Sequence, residues 1–239
     1  MRELSTDRPD VTESPRTVDA GHIQLEMSFV EYTLETDGVD SDEFTVLPFN
    51  AKIGLLNNLD LQLVVDPYVH RDIDNASDES GAGNAQLRGK LNLWGNDAGN
   101  TALGLMPFVQ LPTGDEEIDE SDDHVEGGVI IPFSIDLNER FTLSLMGEFD
   151  FLHDAEDDDY NTEFVHTASL GAGLTETFGV YLEYVGVVPF ESASDYSASI
   201  GTGAALRLSD GVQLDAAIYF GLNEEAENLR ALTGISVRL

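Results

Sequence analysis

Phe141-Thr142-Leu143-Ser144-Leu145-Met146-Gly147-Glu148-Phe149-Asp150-Phe151 is the stretch on which the fold turns. Phe141, Leu143, Leu145, Phe149 and Phe151 share one parity, and Ser144, Glu148 and Asp150 share the other. A strand with period two has two chemically different faces, so this segment lines a boundary between an apolar and a polar medium. It is preceded by the turn Asn138-Glu139 and by a run, Val125 to Asp136, in which Val129, Ile131, Phe133 and Ile135 alternate in the same way.

The pattern extends in both directions. Ile23, Leu25, Met27 and Phe29 oppose Gln24, Glu26 and Ser28. Further runs follow over Phe44 to Leu55, Leu59 to Val69, Leu87 to Leu93, Leu103 to Leu111, Phe164 to Leu174, Val180 to Phe190, Tyr196 to Leu208, Val212 to Leu222 and Leu229 to Leu239. About twelve strands result, an even number as in bacterial transmembrane barrels. Their connections alternate. Short turns stand at Asn57-Asn58, Gly95 to Gly99, Asn138-Glu139, Glu176-Thr177 and Ser209 to Gly211; long acidic loops stand at Glu35 to Glu43, Arg71 to Gly83, Thr113 to His124, His153 to Asn161, Glu191 to Asp195 and Asn223 to Glu227. Short turns at one end and long loops at the other predict an all-β, closed, antiparallel up-and-down transmembrane β-barrel in the bacterial outer membrane, with both termini in the periplasm.

A soluble sandwich or lipocalin would turn the apolar face inward instead. The less apolar face argues against that inversion, because it is rich in small residues: Thr167, Ser169, Gly171 and Gly173, or Ser197, Ser199, Gly201, Gly203 and Ala205. Aromatics near strand ends (Phe29, Tyr32, Phe44, Phe108, Phe133, Phe141, Phe149, Phe151, Phe178, Phe190 and Tyr196) are placed as interfacial girdles would be.

Composition narrows the function. Of 239 residues, 11 are basic and 46 acidic, a formal net charge of −35, which argues against nucleic acid as a partner. The acid is concentrated in the loops, most densely over Asp115 to Asp123 and Asp154 to Asp159, so it forms a cap and not a background. With 41% hydrophobic residues the chain is too patterned for disorder. There is no cysteine, hence no disulfide scaffold, thiol nucleophile or Cys-based zinc site. No run reaches the ~18 apolar residues of a membrane helix. Met1 to Asp10 has no apolar leader, so either the protein is cytosolic or a signal peptide has been removed and replaced by a start Met.

Residues 1–20 carry prolines and no strand pattern, and are expected to be a periplasmic arm that is either a plug in the lumen or disordered; residues 21–239 are expected to form the barrel. Glu26, Lys52, Asp66, Arg88, Lys90, Glu148, Glu183, Arg207, Asp215 and Arg238 all fall on the less apolar parity. Inside a barrel they would form a mixed-charge lumen network, acting either as a selective constriction or as mutually satisfied filling.

Enzyme signals are absent. The five histidines stand one per region without metal-ligand spacing, and no Gly-x-Ser-x-Gly elbow occurs. His166 lies near Ser169 on the outward parity, the one arrangement that leaves a lipid-facing hydrolase open. Asp154 to Asp159 lacks the glycine of an EF-hand loop, so no metal site and no cofactor are expected.

Two segments carry a resemblance. Ser5-Thr6-Asp7-Arg8-Pro9-Asp10-Val11-Thr12-Glu13-Ser14-Pro15, followed by Gly21-His22-Ile23-Gln24-Leu25-Glu26, and the strand end Gln110-Leu111-Pro112-Thr113-Gly114-Asp115 are similar to a transporter-like family of outer-membrane proteins described as meta-pathway phenol-degradation proteins. The resemblance implies a carrier of small hydrophobic or aromatic molecules seated in a lipid bilayer. The C-terminal Ile235 to Leu239 departs from the aromatic last residue common in such barrels. The leading expectation is therefore a passive channel; the alternatives are a non-transporting surface barrel displaying acidic loops for adhesion or envelope structure, and a soluble acidic β-protein.

Overall fold

The computed structural model describes residues 1–36, 40–119, 121, 123–154, 158–190 and 195–239. Glu120, Asp122, Glu156, Asp157 and most of the Glu191 to Asp195 loop lie outside these described residues. The fold contains β1 (Ile23–Glu35), β2 (Ser41–Val46), β3 (Phe49–Leu56), β4 (Leu59–Val65), β5 (Tyr68–Ile73), β6 (Glu79–Gly81), β7 (Ala85–Trp94), β8 (Thr101–Leu111), β9 (Glu126–Asp136), β10 (Phe141–Asp154), β11 (Asp159–Gly173), β12 (Phe178–Pro189), β13 (Ser197–Ser209), β14 (Val212–Gly221) and β15 (Leu229–Arg238).

Neighbours in the chain pair antiparallel, and β1 pairs β15 from Gln24↔Arg238 to Leu34↔Leu229, which closes the sheet. β2 with β3, β4 with β5 and β6 with β7 each make one interrupted crossing of the wall, so the fifteen segments make a twelve-stranded barrel. Closure through β1 and β15 removes the two long edges of the sheet, the condition for β-structure in hydrocarbon, and among the described residues leaves only the short β6, at the loop end, paired on one side.

The direction of alternate side chains separates a membrane barrel from a soluble core. Leu61, Leu145 and Leu182 are 46%, 39% and 55% exposed, whereas their neighbours Gln62, Met146 and Glu183 are 2%, 5% and 1% exposed. Exposing a large apolar side chain to water forgoes roughly 1.5–3 kcal/mol, and here such residues run round the wall, so the surrounding medium is hydrocarbon. One girdle residue is misplaced by the alternation. Phe108 turns inward and packs on the interior cluster Met106, Ile130 and Met146, because it shares the parity of Met106.

Three interruptions in the first part of the wall lie side by side. β1 has a bulge between Ser28 and Val30; opposite it Leu47 adopts φ 57 before Pro48, and Pro67 separates β4 from β5. Proline cannot donate to the ladder, so the expected continuous runs Phe44 to Leu55 and Leu59 to Val69 are each split. The bulge also reverses parity: Phe29 and Val30 are both exposed, and Glu31 beyond them turns inward.

Candidate functional site: the barrel interior and its arm

Residues 2–19 run through the interior, and the wall is cut to receive them. A Cβ on Gly54 would collide with the backbone carbonyl of Asp19, and one on Gly234 with the Arg8 guanidinium and the Met27 carbonyl, so both positions need glycine for close approach. At the turn end, Arg2 holds Asp19 through Nε to Oδ1 at 2.6 Å and backbone N to Oδ2 at 2.8 Å. Burial would push the Asp19 carboxyl up, but these bonds and the Arg2 charge outweigh it and leave it below the ordinary carboxylate range.

Eight of the ten polar-parity charges meet the arm directly. Lys52 from β3 is ion-paired with both Asp7 and Glu26, and Lys90 from β7 reaches Asp7 Oδ1 and Oδ2 at 2.6 Å. One arm carboxylate thus bridges two ammonium groups that are 3% and 1% exposed as residues. Glu26 accepts from the Asp7 backbone N–H at 3.0 Å. Arg88 Nη1 meets Glu13 at 2.6 Å. On the far side Glu183 of β12 accepts the backbone N–H groups of Val11 and Thr12 at 2.9 and 2.8 Å, the Thr12 hydroxyl, and the Tyr219 hydroxyl at 2.6 Å. Asp215 of β14 receives Arg8 Nη2 at 2.8 Å. Arg238 lies at the turn-end rim, donating to the carbonyls of Arg2 and Glu3.

Arg207 completes the eight, and the other two sit elsewhere. Arg207 is at the same rim, paired with Glu3, while Asp66 and Glu148 line interior cavities toward the loop end. These ten charges were expected to pair with one another, yet among the ion pairs of the described residues only Lys52 and Glu26 of the ten do so; the arm supplies most of the counter-charges. Its Asp7, Arg8 and Glu13 are the interior charges the alternation could not find, because the arm has no strand period. Arg230 was findable, since it shares the parity of Leu232 and Ser236; its partner Glu31, at 2.9 Å, was hidden by the bulge.

The arm lines two separate cavities. The loop-side one, about 400 Å³, has Arg8, Arg88 and Arg230 facing Glu31, Glu43 and Asp66. The turn-side one, about 580 Å³, includes Arg2, Arg16, Asn96, Asp136 and Arg207. A third, of about 350 Å³, has Val11, Val165, Val185, Val187 and Tyr219 on its apolar side and Glu148, Asp150 and Arg230 on its polar side. Glu227 overhangs the loop-side cavity, and burial, then the nearby Glu43, Glu35 and Glu31, push its carboxyl up against the opposing pull of Arg230.

His166 does not face Ser169, which points inward and is 3% exposed; its Nε2 lies 3.4 Å from the Tyr196 hydroxyl. The lipid-facing pair considered from sequence is thus not formed.

An apolar outer belt and a charged, segment-filled interior define an integral outer-membrane β-barrel. The chain belongs to the family described as "Putative MetA-pathway of phenol degradation", whose model matches residues 6–239, arm and barrel together. Among solved structures it is similar to an outer-membrane channel from Pseudomonas putida F1, at 15% identity and a TM-score of 0.74, covering 95% of this chain and 98% of that one. It is also similar to the NanC porin (8%, TM-score 0.61, 91% and 100%) and to the translocator domain of the autotransporter NalP from Neisseria meningitidis (10%, TM-score 0.56, 93% and 90%). No curated protein matches the sequence.

Proposed function

We propose that the protein is a passive outer-membrane channel for small hydrophobic or aromatic molecules, in which residues 2–20 form a plug that sets the passage through a mixed-charge lumen. The observation that carries this reading is the cavity of about 350 Å³ with a valine-lined side and a carboxylate and guanidinium side. Its size lies at the lower end of small-ligand sites, and its two chemistries suit a ring bearing one polar group. Family membership and the likeness to channel folds support the same class.

Arg8, Arg88 and Arg230 opposed to Glu31, Glu43 and Asp66 form the charged narrowing on the loop side, with the acidic loops facing outward from the cell and both termini in the periplasm. Flux of a phenol-like solute into liposomes holding the folded barrel, with conductance in planar bilayers, tests the reading. Wild-type flux that rises when residues 2–20 are deleted supports it. No flux and no conductance from either folded form would favour the second reading, a closed surface barrel, for which the filled interior is the specific observation.

A further inference from the structure

His124 and His153 stand twenty-nine positions apart, one in the β8–β9 connection and one in β10, yet their imidazoles stack with centroids 3.5 Å apart and planes 12° from parallel. Asp158 comes from the turn of the β10–β11 hairpin, with its Oδ1 3.5 Å from His153 Nε2. One donor atom from each of the three residues lies within 4.8 Å of the others. Two imidazoles and a carboxylate drawn together from three places in the chain form a recognised donor set for borderline divalent metals.

The surroundings hold the His153 ring and the backbones of all three residues, while the Asp158 side chain is 90% exposed. His153 ends β10 on the outward parity, just past Phe149 and Phe151, and its backbone N–H donates to Glu126 Oε1 at 3.0 Å. Tyr160, paired with it across the hairpin, packs edge-on to its ring at 5.5 Å, and the Tyr160 hydroxyl ties down the Val125 carbonyl at 2.8 Å. His124 is held by its backbone N–H to the Ser121 carbonyl at 3.0 Å. Asp158 adopts φ 52, an uncommon conformation for a residue with a side chain, and its N–H closes on the Asp154 carbonyl at 2.9 Å.

Independently, the His153 side chain is 3% exposed, and its Nδ1 has no hydrogen-bond partner. A buried polar nitrogen left unbonded costs roughly 1–3 kcal/mol, a cost that coordination through Nδ1 would remove. Stacking alone would hide the ring, but it does not account for a carboxylate brought to its other nitrogen.

We propose that His124, His153 and Asp158 bind a Zn²⁺-class transition-metal ion, leaving a position for water, and that the ion clasps the β8–β9 connection to the β10–β11 hairpin. Metal–nitrogen bonds of about 2.0–2.1 Å require the two rings to hinge apart from their stack so that their lone pairs converge. Imidazole donors favour Zn²⁺, Co²⁺, Ni²⁺ or Cu²⁺ over Ca²⁺ and Mg²⁺, which prefer all-oxygen sites.

Co²⁺ titration of the detergent-folded barrel in excess Mg²⁺ tests this, because Mg²⁺ occupies the purely carboxylate surface. The expected result is one equivalent of Co²⁺ with visible ligand-field bands, displaced by Zn²⁺. His153→Ala and His124→Ala should each weaken binding by at least ~10-fold, and Asp158→Asn should weaken it while keeping imidazole ligation. Heat-modifiable gel migration reports that each variant is folded. Binding abolished by Mg²⁺, or retained unchanged by a folded His124→Ala/His153→Ala double variant, overturns the proposal.

Discussion

The two flanks of the arm are held by opposite chemistries. Toward β3 and β7 it offers two carboxylates, Asp7 to the buried ammonium groups of Lys52 and Lys90 and Glu13 to Arg88. Toward β11, β12 and β14 the wall offers the carboxylates, Asp215 to Arg8 and Glu183 to backbone N–H groups and a hydroxyl of the arm, beside Tyr181, Ala217, Tyr219 and Leu232. The flank on which the arm is acidic belongs to the interrupted part of the wall, and the flank on which the wall is acidic belongs to its regular part. A buried ion pair costs about 3–5 kcal/mol to break on one side only, whereas a hydrogen bond to a charged group contributes about 1.5–3 kcal/mol. The arm is therefore fastened firmly at Asp7 and more gently at Thr12, and a change on either flank should release a different length of it.

Deleting residues 2–20 removes both fastenings and should produce the largest effect, a severalfold rise in single-channel conductance. An unchanged conductance in the folded deletion variant would show that the arm does not limit passage. Next, Asp7→Ala leaves Lys52 and Lys90 short of a counter-charge and should cost about 3–5 kcal/mol in the seating of the arm. The measurement is thermal unfolding together with proteolysis of the N-terminus, and a loss no larger than that of a surface variant would erase the contrast between the flanks. Glu183→Gln keeps the size but turns part of an acceptor into a donor opposite Val11 and Thr12, at a cost of about 1–3 kcal/mol. Its release of the arm should be smaller than that of Asp7→Ala in the same assay.

Gly54→Ala should displace only the base of the arm, exposing Arg2 to protease before Asp7 lets go. The smallest effect concerns pH. The Asp19 carboxyl is depressed, so its clamp on Arg2 contributes above the ordinary carboxylate range and is lost as pH falls through the depressed value. Glu227 is raised, so it takes up a proton above the ordinary glutamate range as pH falls, making the loop-side cavity less negative. Cation selectivity should fall over that window in wild type and fall less in Glu227→Gln, where Asp66 of the same cavity still titrates.

The wall was largely legible in the sequence because a membrane imposes period two on each strand. Leu61, Leu103 and Leu145 could be assigned to one face, and Glu26, Lys52, Lys90 and Glu183 to the other, from spacing alone. Legibility failed where periodicity carries no signal. The bulge at Phe29 and Val30 shifts the count by one, so Glu31 escaped notice; Phe108 followed its parity inward although its chemistry suited a girdle. The partners of the interior charges lie in a segment with no period at all. The histidines, read as scattered, meet because adjacent strands bring Val125 and His153 to the same level, a coincidence of register that local spacing does not encode.

The seam at which β1 pairs β15 has a consequence for the order of assembly. The arm is continuous with β1, and its seats come from β3 and β7 near the beginning of the chain and from β12 and β14 near its end. No partial sheet offers both sets of seats facing one another. The full set of seats for the first twenty residues exists only once the last seam zips, so closure of the wall and fastening of the arm are coupled.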